Sequence, residues 1–162
     1  MTPVTGIHIR PATIDDVPLI LTLIHELAEY ERLTQEVRAT EETLRATLFG
    51  PRPAADVLLA YVDAVPVGYA LFFQNYSTFL SKPGLYLEDL YVRPSVRGRG
   101  VGRAMFKRLA EITVERGYGR AEWVVLDWNV EAKGFYERLG ARHNTSWHPF
   151  CISAEGMHKL AE

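Results

Sequence analysis

The sequence predicts a mixed α/β fold, in which a central, mostly antiparallel sheet carries one parallel pair and is flanked by about four helices. Three observations lead there. Val57–Val62 and Val67–Phe73 are branched, apolar runs joined by a short turn over Asp63–Pro66, the pattern of an antiparallel hairpin. Leu85–Val92 is a further strand-type run, followed by an amphipathic stretch from Ala104 to Arg116 and another branched run at Ala121–Leu126. A helix between two strands implies a right-handed crossover and a parallel pair. Helical spacing recurs elsewhere, at Val17, Ile20, Leu21, Ile24, Leu27 and Ala28, and again from Val130 to Leu139.

Taken in order, Ile7–Pro11 reads as a first strand. Thr13-Ile14-Asp15-Asp16 has the form of a helix start with an acidic first turn. Thr40 caps a short helix, Glu41–Leu48, with Leu44 and Leu48 inward; Gly50, Pro51 and Pro53 end it in a turn. Gln74–Gly84, polar and aromatic, reads as a loop before the Leu85 strand. Gly117 and Gly119 close the helix that follows it, and Asn129 caps the helix Val130–Leu139, which Gly140 ends. From His143 to Ile152, with aromatics at Trp147 and Phe150, one or two edge strands are expected.

The chain's 162 residues fit one domain, 1–162, by the prior of roughly 100 to 200 residues each. With 48% apolar and 23% charged residues it has an ordinary globular composition, and a net charge of -2 argues against nucleic acid as partner. A single cysteine, Cys151, allows no intramolecular disulfide and points to a reducing compartment, the cytoplasm. No apolar run is long enough for a membrane span. The five histidines lack metal-ligand spacing, so no metal is expected.

The chemistry concentrates between Leu85 and Gly102. Glu88 and Asp89 interrupt an otherwise apolar strand, and a buried carboxylate is costly unless it is hydrogen-bonded, paired or reactive. Strict alternation puts the two on opposite faces. Beyond the strand, Arg97-Gly98-Arg99-Gly100-Val101-Gly102 leads into a helix. Glycines let backbone approach a ligand, the first helical amides lack internal partners, and Arg97, Arg99 and Arg103 add positive charge. Such a turn suits a pyrophosphate. Neither a Walker loop nor a dinucleotide fingerprint is present.

Arg97–Gly102 matches the (Q/R)xxGx(G/A) signature of the GNAT superfamily of acetyl-CoA-dependent N-acetyltransferases, which the order of elements also resembles over nearly the whole chain. ELAEYERL at 26–33, YLEDLYV at 86–92, and VLDWN with FYERLGA within 125–141 resemble its spermidine/spermine (diamine) and thialysine acetyltransferase branch. The resemblance implies that loop amides hold the pyrophosphate of acetyl-CoA. It further implies that a bulge near Leu90 exposes backbone at Leu90, Tyr91 and Val92 to the coenzyme, and that Asn129 contacts it. In this branch the glutamate matching Glu88 acts as base through a water, and the tyrosine matching Tyr136 as acid. Homodimerisation is also implied.

Acetylating an amine at neutral pH requires removing a proton from an ammonium whose pKa is roughly 10, which suits a carboxylate base. Without the resemblance, Glu88 reads equally as an exposed strand carboxylate and the Phe135-Tyr136 pair as core. Glu26, Glu29, Glu31 and Glu36 form an acidic run: a solvated helix end, or a rim that binds the amine substrate, with Glu29 and Asp89 as candidate contacts beside Glu88. Asp89 alternatively bonds a neighbouring helix amide. The expected activity is acetyl transfer to a small diamine, polyamine or thialysine-like amino acid. Protein or peptide acetylation, and a non-catalytic nucleotide or nucleic-acid binder using arginines between Arg93 and Arg108, are the alternatives.

Overall fold

The structure is a computed structural model and describes residues 6–162. Its elements are β1 (Ile7–Pro11), α1 (Val17–Glu31), α2 (Glu41–Phe49), β2 (Asp56–Val62), β3 (Val65–Ser77), β4 (Lys82–Val92), α3 (Val101–Glu115), β5 (Ala121–Glu122), α4 (Val130–Arg138) and α5 (Ala154–Leu160). They fall into two units, one ending at Val124 and the other Val125–Glu162.

In the first unit five strands form one sheet in the order β1-β2-β3-β4-β5. The first three pairings are antiparallel and β4–β5 is parallel, as the hairpin and crossover patterns predict. Alternation along β2 divides the core. Leu58, Ala60 and Val62 face Val101, Met105, Leu109 and Ile112 of α3, whereas Val57 and Leu59 face Val17, Ile20 and Leu23 of α1 with Leu44 and Leu48 of α2. Each helix buries one stripe on one sheet face.

The start of α1 is fixed by charge. Arg10 of β1 donates to both oxygens of Asp16 at 2.7 and 2.8 Å, and the Thr13 N–H donates to the same carboxylate at 2.7 Å. The Arg10 hydrogen bonds, aided by Thr13 and opposed by burial, hold the Asp16 carboxyl down at about 2. At the far end Arg32 takes a left-handed conformation, φ 61, and the helix stops.

Three expectations change. Gln74–Gly84 is not a loop: β3 and β4 stay paired from Gln74↔Leu85 to Ser77↔Lys82, leaving only a turn over 78–81. Backbone pairing continues past the apolar core because Gln74 and Tyr76 need only face water, so polarity there marks exposure rather than a break. Ala121–Leu126 contributes only Ala121 and Glu122 to the sheet, paired with Leu85 and Tyr86. A parallel partner needs evenly spaced groups, and β4 becomes irregular just beyond Tyr86; Trp123 instead packs edge-on against Phe106 of α3, with ring centroids 5.2 Å apart. Finally, no strand forms within His143–Ile152, where alternation is poor and Pro149 offers no N–H. The second unit instead ends in α5, capped by Ser153, whose Oγ accepts from the Gly156 N–H at 3.2 Å.

The Arg10–Asp16 clamp yields a stability prediction. Asp16→Asn is expected to lower stability at pH 7 by about 1–2 kcal/mol in urea denaturation, allowing for the partial exposure of Arg10. The carboxyl titrates lower in the folded than in the unfolded chain, so the wild-type advantage should be full above about pH 5 and vanish as pH falls to about 2.

Candidate active site

The β3–β4 ladder contains a bulge. Phe72 pairs with Leu87 and Leu71 with Asp89, so β4 spends two residues where β3 spends one, and Glu88 is the extra one. This resets the alternation. Leu85 and Leu87 belong to the α3-facing core, and after the bulge Leu90 and Val92 do so, while Tyr91 joins the α1-facing core. Asp89 thereby shares the α1 face with Tyr69, whose hydroxyl donates to Asp89 Oδ2 at 2.9 Å. The strict alternation expected around Glu88 and Asp89 is therefore broken at the point where it mattered. The bulge lies two residues before Leu90, the position that the resemblance indicates.

β4 also loses its other neighbour here. β5 pairs only with Leu85 and Tyr86, so among the described residues no strand flanks Leu87–Val92 on that side. A strand edge of this kind presents backbone N–H and C=O groups to whatever lies beside it.

The carboxylates at the bulge act on one another. Burial pushes the Asp89 carboxyl up and the charge of Glu88 adds to this, while the Tyr69 hydrogen bond opposes it. Glu31, near the end of α1, is likewise pushed up, first by burial and then by Asp89. The buried Tyr69 phenol is raised well above its ordinary value by burial, with Asp89, Glu31 and Glu88 contributing. Glu88 itself is exposed. The result is a negative cluster drawn from β4 and α1, with a buried phenol beneath it.

The acidic run on α1 does not act as a unit. Glu26 is taken by Arg93, which donates from Nε at 2.9 Å and from Nη2 at 2.7 Å, and this bidentate pair holds the Glu26 carboxyl down. Glu29 is exposed on α1 and Glu36 is exposed beyond it. Glu31 is the member whose charge meets Asp89. Sequence spacing could not separate these four, because the helix is followed by a left-handed turn and the partners come from β4.

Arg93 also donates to the Pro66 carbonyl at 2.7 Å, fixing the exit of β4. Arg97 is similarly committed: its Nε donates to the Val92 carbonyl at 2.8 Å, and its guanidinium lies over the Tyr30 ring, 4.3 Å from the centroid. Glu26 and Tyr30 stand one helical turn apart, so α1 is stapled twice to the start of the glycine loop. The loop itself needs its glycines, with Gly98 at φ 70 and Gly100, the N-cap of α3, at φ 96. Val101 is buried and anchors the helix, Gly102 and Arg99 are half-buried, and Arg103 is exposed. The turn thus ends in the first amides of a fifteen-residue helix, a geometry that receives phosphate oxygens. Arg108, in contrast, pairs with Glu111 and Glu115 at 3.1 and 3.0 Å.

Asn129 and Tyr136 belong to the second unit. Asn129 caps α4, its Oδ1 accepting from the Ala132 N–H at 3.2 Å, as its spacing predicts. Tyr136 is half-buried on the same helix, its ring 5.6 Å from that of Phe135. Lys133 pairs with Asp127 at 2.8 Å and closes the turn before α4. Among the described residues no group of three or more His, Cys, Asp and Glu is placed to hold a metal, and no helix is long and apolar enough to cross a membrane.

Comparison with known proteins bears on family and fold. Residues 21–141 match the profile of the Acetyltransferase (GNAT) family. The chain is 40% identical over 166 residues to a thialysine N-epsilon-acetyltransferase of Bos taurus, covering 96% of this chain and 97% of the other. It is 36% identical to an L-ornithine N5-acetyltransferase of Arabidopsis thaliana, covering 94% and 87%. The fold is similar to that of an integron cassette protein from the mobile metagenome of V. cholerae, with TM-score 0.80, 24% identity, and 98% and 99% covered.

The left-handed cap of α3 is open to test. A Cβ at Gly100 would meet only Ile7 Cδ1, at 3.9 Å, so the cost of Gly100→Ala is conformational rather than steric. It is expected to lower stability by about 1–2 kcal/mol in urea denaturation at pH 7. A change below a few tenths would mean that the turn relaxes freely.

Proposed function

The chain belongs to the GNAT acetyltransferase family, and from that premise we propose that it transfers the acetyl group of acetyl-CoA to a primary amine of a small diamine, polyamine or thialysine-like amino acid. The observation that carries the acceptor class is the negative cluster of Glu88, Asp89 and Glu31 at the bulge of β4. A substrate with two cationic groups offers one to the reaction and one to such a cluster. In this reading Asp89 and Glu29 contribute to holding the substrate's charge, and Glu88 stands nearest the reacting nitrogen.

The coenzyme side of the proposal rests on the glycine loop. Amides of Gly98–Arg103 and the charge of Arg99 and Arg103 would hold the pyrophosphate, with Arg97 shaping the turn through Tyr30 and the Val92 carbonyl. The unflanked edge of β4 at Leu90, Tyr91 and Val92 would pair with the amide-bearing arm of the coenzyme, and Asn129 would add a contact. Acetyl-CoA supplies an activated thioester carbonyl. The chain's own residues then manage protons. Glu88, through a water, takes the proton that makes the ammonium a nucleophile; as the C–N bond forms and the C–S bond breaks, Tyr136 protonates the departing thiolate, uphill by about 1.5 units on ordinary values, and its phenolate recovers a proton from the acetylated nitrogen. A homodimer is part of the same proposal.

Thiol release from acetyl-CoA over a panel of putrescine, spermidine, spermine, thialysine, ornithine, lysine and a lysine peptide tests the acceptor class. Selective turnover of a free diamine or diamino acid is expected; turnover of the peptide with none of the free amines would transfer the assignment to a protein acetyltransferase. Glu88→Gln is expected to lower kcat/KM about 10²- to 10⁴-fold at neutral pH and to move its rise to higher pH. Tyr136→Phe should lower kcat while leaving the calorimetric Kd for acetyl-CoA within about twofold. An unchanged pH–rate profile in the first, or unchanged kcat in the second, removes that residue's role.

A further inference from the structure

The pairing of the buried Tyr69 hydroxyl with the half-buried Asp89 carboxylate is poorly explained by packing. Tyr69 is fully buried among Val17, Ile20 and Leu23, where phenylalanine would fill the same space without the cost of burying a hydroxyl. Asp89 is costlier still to bury, and apolar residues at both positions would serve stability as well or better. Their meeting also depends on the bulge. Tyr69 pairs with Tyr91 and Leu71 with Asp89, so the hydroxyl reaches the carboxylate diagonally across the two strands. If alternation ran unbroken from Leu85 and Leu87, position 89 would face α3 instead.

We propose that Tyr69 is a positioning residue for amine recognition: its hydroxyl, donating to Asp89 Oδ2 at 2.9 Å, fixes the Asp89 carboxylate at the bulge so that its remaining acceptor capacity receives the distal ammonium of the acceptor. The inference rests on the acceptor class proposed above. The groups acting on Asp89 come from three elements: Glu31 on α1, Tyr69 on β3 and Glu88 on β4. Of these, only Tyr69 stabilises the charged form of Asp89, since the other two are carboxyl groups that repel it. Losing the phenol should therefore leave Asp89 both less fixed and more readily protonated, and weaken the grip on a second cationic group rather than the chemistry at the first.

The test is a double-mutant cycle on steady-state kinetics, using a diamine or diamino acid that the wild-type protein acetylates and a monoamine of similar length with a neutral tail. Tyr69→Phe keeps the ring and should raise KM for the dication about tenfold, with a smaller effect on kcat and none on KM for the monoamine. In an Asp89→Asn background the same substitution should add no more than about twofold, because its target is gone. Carbon-detected NMR titration of the Asp89 carboxyl gives an independent readout, expected to move to higher pH in Tyr69→Phe. An unchanged KM, an equal rise in the Asp89→Asn background or for the monoamine, or an unmoved carboxyl titration overturns the assignment. Wild-type protein that acetylates no free amine overturns the acceptor class and this inference with it, whereas an active wild type with a silent Tyr69→Phe overturns this inference alone.

Discussion

The edge of β4 beyond Tyr86 is the constraint on which the rest of the first unit depends. A strand inside a sheet should have neighbours on both sides, yet β5 leaves after two paired residues and the bulge at Glu88 disturbs the ladder with β3 directly afterwards. Backbone groups on this stretch must find partners outside the regular sheet. The polypeptide accordingly places its unusual residues there: two adjacent carboxylates in the strand, then a turn through two left-handed glycines into the positive end of α3. The early end of β5 leaves an unflanked backbone edge, and the bulge against β3 supplies the phase change that sets Asp89 on the face of Tyr69.

Charge is distributed so that this arrangement stays fixed. Arg93 neutralises Glu26 and ties α1 to the end of β4, and Arg97 settles on Tyr30 one helical turn further along. Neither contact engages Glu31, Asp89 or Glu88. Glu31, Asp89 and Glu88 therefore remain a net negative group, in which burial raises two of the carboxyls. A cationic substrate would relieve that repulsion, which is the physical basis for reading the cluster as an amine site.

Much of this was legible in the sequence where periodicity and glycine placement carry the information. The hairpin, the crossover, the helix after Arg97–Gly102 and the Asn129 cap all follow from local pattern. What could not be read depends on partners distant in sequence. Glu88 and Asp89 are ordinary neighbours until Phe72 and Leu71 set the register that makes Glu88 the extra residue. The four glutamates of α1 and its extension look alike until Arg93 claims Glu26. Tyr69 carries no signal of its own, being one more aromatic in an apolar strand, and Gln74–Gly84 reads as a loop because its polar side chains, exposed at Gln74 and Tyr76 but buried at Ser77, give no sign of the β3–β4 backbone pairing. The closing helix α5 did leave a local trace, in Ser153 followed by an acidic first turn, that the aromatics before it obscured.

Hydrogen exchange at the backbone amides of residues 87–92, measured with and without acetyl-CoA, tests the role of the β4 edge most directly. Amides within this stretch are expected to exchange much faster than those of the Gly68–Ala70 ladder in the free protein and to become protected when the coenzyme binds. Amides already as protected as the flanking ladder, and unchanged by acetyl-CoA, would contradict that role: the bulge would then be a local irregularity of the sheet, and the coenzyme would have to bind elsewhere.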